Sequence, residues 1–297
     1  KSYLLALLVA GLLFLLLELI NRKKNAAGVL WQCVNRASAW KAGLALTAFC
    51  LVVNGAWVLS FQPTQAPDFR TFFQAAADLS HGVHPQNRAY LAMFPHILGY
   101  SAFLSVFLRV FGESLTTAAV LNVVLTALSG LLLFCLCRRR RGTTSACAAF
   151  FLWTVCPSKL LYNPMSLSEP YYTFLLLLAF LMTAGEKRNL LQGACSGILT
   201  GLLLGLVNTA RPIGVIPIIA LLLWLLLLAD PEKLRHEGKI WSLFFFLTVA
   251  VYLLTGRAWN CYAADQLEQE PASVPGYSIY VGLNPETLGT YSDSDMD

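Results

Sequence analysis

Three charged side chains stand where long apolar runs end. Asp68 follows the run 41–61 in the polar stretch Pro67-Asp68-Phe69-Arg70. Glu169 lies in Tyr162-Asn163-Pro164-Met165-Ser166-Leu167-Ser168-Glu169-Pro170, where one apolar segment breaks at a proline and the next begins. Arg211 sits in Asn208-Thr209-Ala210-Arg211-Pro212, between two apolar segments. A carboxylate fixed just outside a membrane helix can serve chemistry on substrates delivered by lipid. An acid at the mouth of a membrane helix is costly unless it is used or paired. A guanidinium matches phosphate oxygens bidentately. Together the three point to an integral-membrane transferase.

Each residue also has a plainer reading. Asp68 opens a helix and suits an N-cap. Glu169 near a helix start is favoured by the macrodipole. A lone Arg211 can snorkel to lipid headgroups. His81-Gly82-Val83-His84 has i, i+3 spacing, and with Asp78 it could hold a metal. Gly82 and Pro85 argue against a helix there, and a solvated loop is the simpler reading. His96, beside Pro95, is open to either kind of role.

The elements that must position these residues are membrane helices. The chain is 57% hydrophobic and 12% charged, with mean hydropathy +0.62. A soluble domain carries about 25% charged residues. Apolar segments at 3–20, 41–61, 93–111, 115–137, 143–161, 168–184, 191–208, 213–229 and 240–256 reach or approach the ~20 residues that span a bilayer. The fold class is all-α and polytopic, with about eight transmembrane helices plus outer juxtamembrane helices. Segment 2–20 lacks the flanks of a signal peptide and reads as a span. A start at Lys1 and an acidic polar end suggest that both termini are truncated.

Eight cysteines show no zinc spacing. Cys50, Cys135, Cys137, Cys147, Cys156 and Cys195 lie in or beside apolar runs, where they serve as small packing residues. The net charge of +5 is no nucleic-acid signature, because the basic residues cluster in short loops flanking helices.

Those loops set the topology. Arg22-Lys23-Lys24 through Lys41, Arg138–Arg141, Lys187-Arg188 and Lys233 through Lys239 all become cytoplasmic by the positive-inside bias. Loops 62–92, around 157–168 and around 208–212 then lie outside. Parity requires one segment between the first outer loop and Arg138 not to cross. Segment 93–111, interrupted by Pro95, His96, Gly99 and Arg109, is expected to be a re-entrant or juxtamembrane element on the outer side. Residues 68–80 read as an amphipathic helix on the membrane surface, with Phe69, Phe72, Phe73 and Ala76 on one face. The chain divides into a membrane domain, 1–256, and an outer polar segment, 257–297.

These motifs, in this order, resemble the integral-membrane glycosyltransferases of the GT-C fold, which take sugar from polyprenyl-phosphate donors. The resemblance covers roughly 41–297. It rests on Pro67-Asp68-Phe69, Phe94-Pro95-His96 running to Val110-Phe111-Gly112, Asn163-Pro164 through Ser168-Glu169-Pro170, and Thr209-Ala210-Arg211-Pro212-Ile213-Gly214. The third and fourth pieces are similar to those of the GPI-type mannosyltransferases, and Tyr280 through Gly289 to an outer segment of bacterial members. The resemblance implies an inverting transfer of a mannose-like hexose to an acceptor hydroxyl of a lipid, glycan or protein, on the extracytoplasmic face of a bacterial plasma membrane.

Asp68 would be the general base, Arg211 would neutralise the departing lipid phosphate, and Glu169 would orient hydroxyls. Asn163 and His96 would join the substrate-binding set. The family often has an acidic pair where this chain has Asp68-Phe69. No cofactor follows firmly, therefore, and a divalent metal stays possible. The rival readings are a transporter or lipid flippase, whose polar groups would lie at mid-membrane, and a non-catalytic cell-envelope scaffold subunit.

Overall fold

The computed structural model describes residues 39–185, 187, 189–227, 231–272, 282, 283 and 285. Segment 3–20, the basic cluster at 22–24, Arg188 and most of the 280–289 motif lie outside the described residues. Among the described residues eleven helices follow one another: α1 (Ala39–Ser60), α2 (Pro67–Ser80), α3 (Arg88–Met93), α4 (Pro95–Phe111), α5 (Leu115–Arg141), α6 (Thr143–Thr154), α7 (Pro157–Tyr162), α8 (Glu169–Thr183), α9 (Leu190–Ala210), α10 (Val215–Leu227) and α11 (Pro231–Leu267).

Among the described residues four stretches are long and apolar enough to cross a membrane: α1, α5, α9 and Glu237–Leu267 of α11. At 1.5 Å per residue each reaches the ~30 Å of a hydrocarbon core. α4, α8 and α10 are apolar but shorter. Of the eight crossings expected, these four are shown by length and composition. Segment 143–161 is split as well, because Cys156 takes the extended conformation that Pro157 demands of its predecessor. Large apolar side chains such as Val52, Leu59, Leu226, Phe246 and Leu254 face outward from these helices. That is the surface of a multi-pass membrane protein, not of a soluble one.

The bundle has two distinct ends. At one, Arg138–Arg141 close α5, where cations complement the helix dipole, and Arg139 Nη1 donates to Leu181 O of α8 at 3.5 Å. Lys187 belongs to this end but is buried rather than displayed in a loop. Its Nζ donates to Thr183 O at 2.9 Å and Gly185 O at 3.1 Å, and lies 4.2 Å from the Trp241 ring centroid and 4.4 Å from that of Phe244.

At the other end α1 meets the start of α5 through Gln62 and Thr116, 3.3 Å apart. Both termini of α4 are here too. Its first turn touches the last residues of α9, so closely that a Cβ on Gly99 would stand 2.1 Å from Thr209 O. Its last turn leads through Gly112 into α5.

α9 and α11 pack backbone to backbone along a stripe of glycines. A Cβ at Gly197 would stand 2.5 Å from Phe244 O, and one at Gly201 would stand 2.5 Å from Thr248 O. Small residues allow such approach where lipid gives no hydrophobic drive between helices. α11 continues unbroken to Leu267, so the helix extends beyond the expected polar boundary at 257. Ala263 and Leu267 join Phe72, Leu91, Leu98, Tyr100, Leu104, Tyr171 and Val207 in one core at the Asp68 end. The apolar face of α2 is thus covered by protein: Phe72, Ala76 and Leu79 are buried, with Ser101 of α4 donating to Phe72 O at 2.9 Å. A helix resting on lipid through that face is corrected accordingly. Cys195 and Cys261 are exposed rather than packed in the core.

The break between α6 and α8 frees backbone groups in apolar surroundings, where each must find a partner. Three asparagines supply them. Asn122 Nδ2 donates to Asn163 O at 3.2 Å and Met165 O at 2.8 Å. Asn54 Nδ2 donates to Cys50 O at 3.1 Å and reaches Thr154 O at 3.4 Å. Asn163 Nδ2 donates to Asn54 Oδ1 at 2.8 Å, while its Oδ1 accepts from Thr126 Oγ1 at 2.9 Å. All three side chains are fully buried. Replacing Asn122 by Leu strands two carbonyls at about 1–3 kcal/mol each. A clear drop in the thermal midpoint of the detergent-solubilised protein is expected for Asn122→Leu, and an unchanged midpoint would remove the network from the stability of the loop.

Candidate functional site

The site grows from the loop that the asparagines hold. Leu167 and Ser168 are buried at its end, and Glu169 is the first residue of α8, with Pro170 behind it. Pro170 has no N–H, which a first turn does not need. Opposite, α9 ends at Ala210, and Arg211 leaves the helix in an extended conformation, φ −150° and ψ 126°. Asn208 Oδ1 accepts from Gly214 N at 3.1 Å and closes the turn that follows.

The two charges meet there. Arg211 Nη2 donates to Glu169 Oε1, and Arg211 Nε donates to Ser168 Oγ at 3.1 Å. The Arg211 Cζ lies 6.0 Å from the Tyr172 ring centroid. The side chains are 36% and 31% exposed, so the pair is open on one side only. Its hydrogen bonding is incomplete. Among the described residues Glu169 Oε2 and Ser166 Oγ are buried with no partner, and Arg211 Nη1 has none either. A guanidinium held by Nε and Nη2 presents its remaining N–H groups in a fixed plane.

His96 is the second residue of α4, half-buried and within electrostatic reach of Arg211. Burial, and then the positive charge of Arg211, push its pKa below the usual imidazole range. It is neutral at neutral pH, and one ring nitrogen can accept a hydrogen bond. Lys159, which the sequence reading passed over, stands within electrostatic reach of Glu169, with its Nζ 4.3 Å from the Trp153 ring centroid.

Asp68 occupies the same end of the bundle on another element. It is the second residue of α2, after Pro67, and the N-cap position belongs to Ala66, which makes no side-chain cap. The expected capping role is therefore not its role. Asp68 is exposed and has no hydrogen-bond or ion-pair partner among the described residues. It is tied to the Glu169 loop through Gln65, three residues before it. Gln65 Nε2 donates to Pro164 O at 3.2 Å, and its Oε1 accepts from Ser166 N at 3.0 Å. No hydrogen bond or ion pair joins Asp68 to Glu169 or Arg211.

Glu169, Arg211 and His96 thus gather in one place, with Asp68 anchored nearby by its neighbour. Asn163 does not join them, because its side chain faces the buried network. Nor do the loop histidines converge with Asp78. His81 Nε2 bonds Glu113 Oε2 at 2.8 Å, His84 Nδ1 bonds Gln266 O at 3.0 Å, and Asp78 Oδ2 accepts from Gln86 N at 3.0 Å. Among the described residues no three His, Cys, Asp or Glu side chains cluster as metal ligands would. Asn54, Asn122 and Gln65 were readable as polar residues within or bordering apolar runs, where polar groups rarely lack a purpose.

Residues 95–255 match the family model described as dolichyl-phosphate-mannose-protein mannosyltransferase. The matched region includes His96, Glu169 and Arg211 but begins after Asp68. Neither the curated proteins nor the solved structures contain a match. The match takes in more than half of the chain, which therefore belongs to the dolichyl-phosphate-mannose-protein mannosyltransferase family of GT-C membrane glycosyltransferases.

Proposed function

We propose that this chain moves a sugar from a polyprenyl-phosphate donor to an acceptor hydroxyl, with inversion, on the extracytoplasmic face of a bacterial plasma membrane. The observation that carries the reading is the half-open Glu169–Arg211 pair, at the same end of the bundle as an unpartnered Asp68. The acceptor hydroxyl attacks C1 of the sugar, and its proton passes to Asp68. The new C1–O bond forms as the bond from C1 to the phosphate oxygen breaks, and polyprenyl phosphate departs with the electron pair.

Arg211 neutralises charge developing on that phosphate through the N–H groups that Glu169 and Ser168 leave free. Glu169 orients the guanidinium, and its unpartnered Oε2 is available to a sugar hydroxyl. The lipid bilayer holds the donor head at the depth of these groups, which is a proximity contribution.

The arginine end of the bundle is then cytoplasmic. α4, with both ends at the Asp68 side, lies in the outer interface without crossing. Eight crossings result if segment 3–20, the α6–α7 pair, α8 and α10 span together with the four long helices. A flippase would carry its strongest polar groups at mid-membrane, whereas here they lie at one end.

Asp68→Asn is expected to lower transfer from a polyprenyl-phosphate hexose by ~10²–10⁴-fold with expression unchanged; retention of most activity removes Asp68 from the mechanism. Arg211→Ala should cost ~10²–10³-fold in kcat. Arg211→Lys should recover only part of it, since an ammonium bonded to Ser168 and Glu169 keeps a single N–H and no planar fork for the phosphate; full rescue by Lys would mean that charge alone matters. A single thiol introduced as Thr64→Cys, an exposed position, should react with an impermeant reagent from outside, and labelling only after permeabilisation reverses the orientation.

A further inference from the structure

A second polar feature lies on α2, away from the Glu169–Arg211 pair. Between α2, the loop before α3 and the turn after α4 there is a cavity of about 190 Å³. That is room for several waters or for a ring of sugar size. Ala75, Ala77, Pro85 and Leu91 line it beside a larger set of polar residues.

Gln74, Gln86 and Asn87 line it, and their side-chain amides have no hydrogen-bond partners among the described residues. Asp78 and Glu113 line it too. Each commits one oxygen, Asp78 Oδ2 to Gln86 N and Glu113 Oε2 to His81, and the other has no partner among the described residues.

This chemistry selects its ligand. Two carboxylates repel an anion, so the donor phosphate is excluded. Amides and carboxylates are planar groups with paired donor and acceptor sites, suited to neighbouring hydroxyls on a ring. A peptide backbone would instead seek a strand edge, and no strand borders this cavity among the described residues. Thr71, which also lines it, lies one helical turn from Asp68 on the same face of α2, about 5 Å along the axis at 1.5 Å per residue.

We infer that this cavity binds a neutral saccharide unit, and that the unit belongs to the acceptor whose hydroxyl is presented to Asp68. The assignment as acceptor rests on the transfer reading above; the saccharide site itself does not. The acceptor would then extend along α2 from the cavity toward the carboxylate, while the lipid donor approaches from the Arg211 side.

The test uses the full chain in nanodiscs and saturation-transfer NMR. The probes are methyl α-mannopyranoside, methyl α-glucopyranoside and a Ser/Thr-containing peptide. At least one glycoside should receive saturation. The double variant Gln74→Leu/Asn87→Leu, both at exposed positions, should cut that signal at least fivefold with an unchanged thermal midpoint. Glu113→Gln, made separately, should weaken it as well. No glycoside signal, a signal indifferent to these variants, or loss of peptide binding in their place overturns the inference. Asp68→Asn should leave glycoside binding intact, so an active Asp68→Asn protein would defeat the base assignment without touching this result.

Discussion

The break between α6 and α8 is the constraint on which the rest depends. An interrupted helix in apolar surroundings exposes carbonyls and amides that no water reaches. Here Asn54, Asn122 and Asn163, with Thr126, take up those groups and lock the loop 163–168 in one conformation. That loop delivers Ser168 and Glu169 to Arg211. Without it the carboxylate would have no fixed position, and a guanidinium at the same depth would lack both of its anchors. A buried polar network of this kind rigidifies when every member is satisfied, and the open valences begin only beyond it, at Ser166 Oγ and Glu169 Oε2.

Electrostatics divide the site into two unlike halves. Glu169 and Arg211 form a held pair, with the cation oriented and partly neutralised. Asp68 is a carboxylate without a partner among the described residues, on a separate helix whose N-cap position is held by Ala66. A paired group suits orientation and charge balance; an unpaired one is free to take a proton. His96, kept neutral by burial and by Arg211, adds a hydrogen-bonding group without adding charge.

Close backbone packing brings these halves to one end. The glycine stripe of α9 lets α11 lie against it, which carries Ala263 and Leu267 into the core beneath α2 and α3. Gly99 does the same for α4 against the end of α9. Replacing the α2 apolar face with lipid contacts would have left Asp68 on a loosely held surface helix. Packing on α4 instead fixes it with the scaffold.

Much of this was legible in the chain itself. Apolar runs of near-membrane length, the basic clusters beside them and the proline-marked interruptions depend only on local composition, and they predicted an all-helical membrane protein with charged residues at helix mouths. Asp68, Glu169 and Arg211 stood out because charges are scarce in such a sequence. What composition could not decide was partnership. Whether Asn163 faces a substrate or a buried asparagine, whether Glu169 is free or paired, and whether Phe72 meets lipid or α4 depend on residues tens to a hundred positions away. Helix lengths also departed from run lengths, because hydropathy does not register where a proline ends a helix or where α11 continues past its apolar stretch. The kind of residue at each helix end came from the sequence; which of those ends share a site came only from the packing of distant backbones.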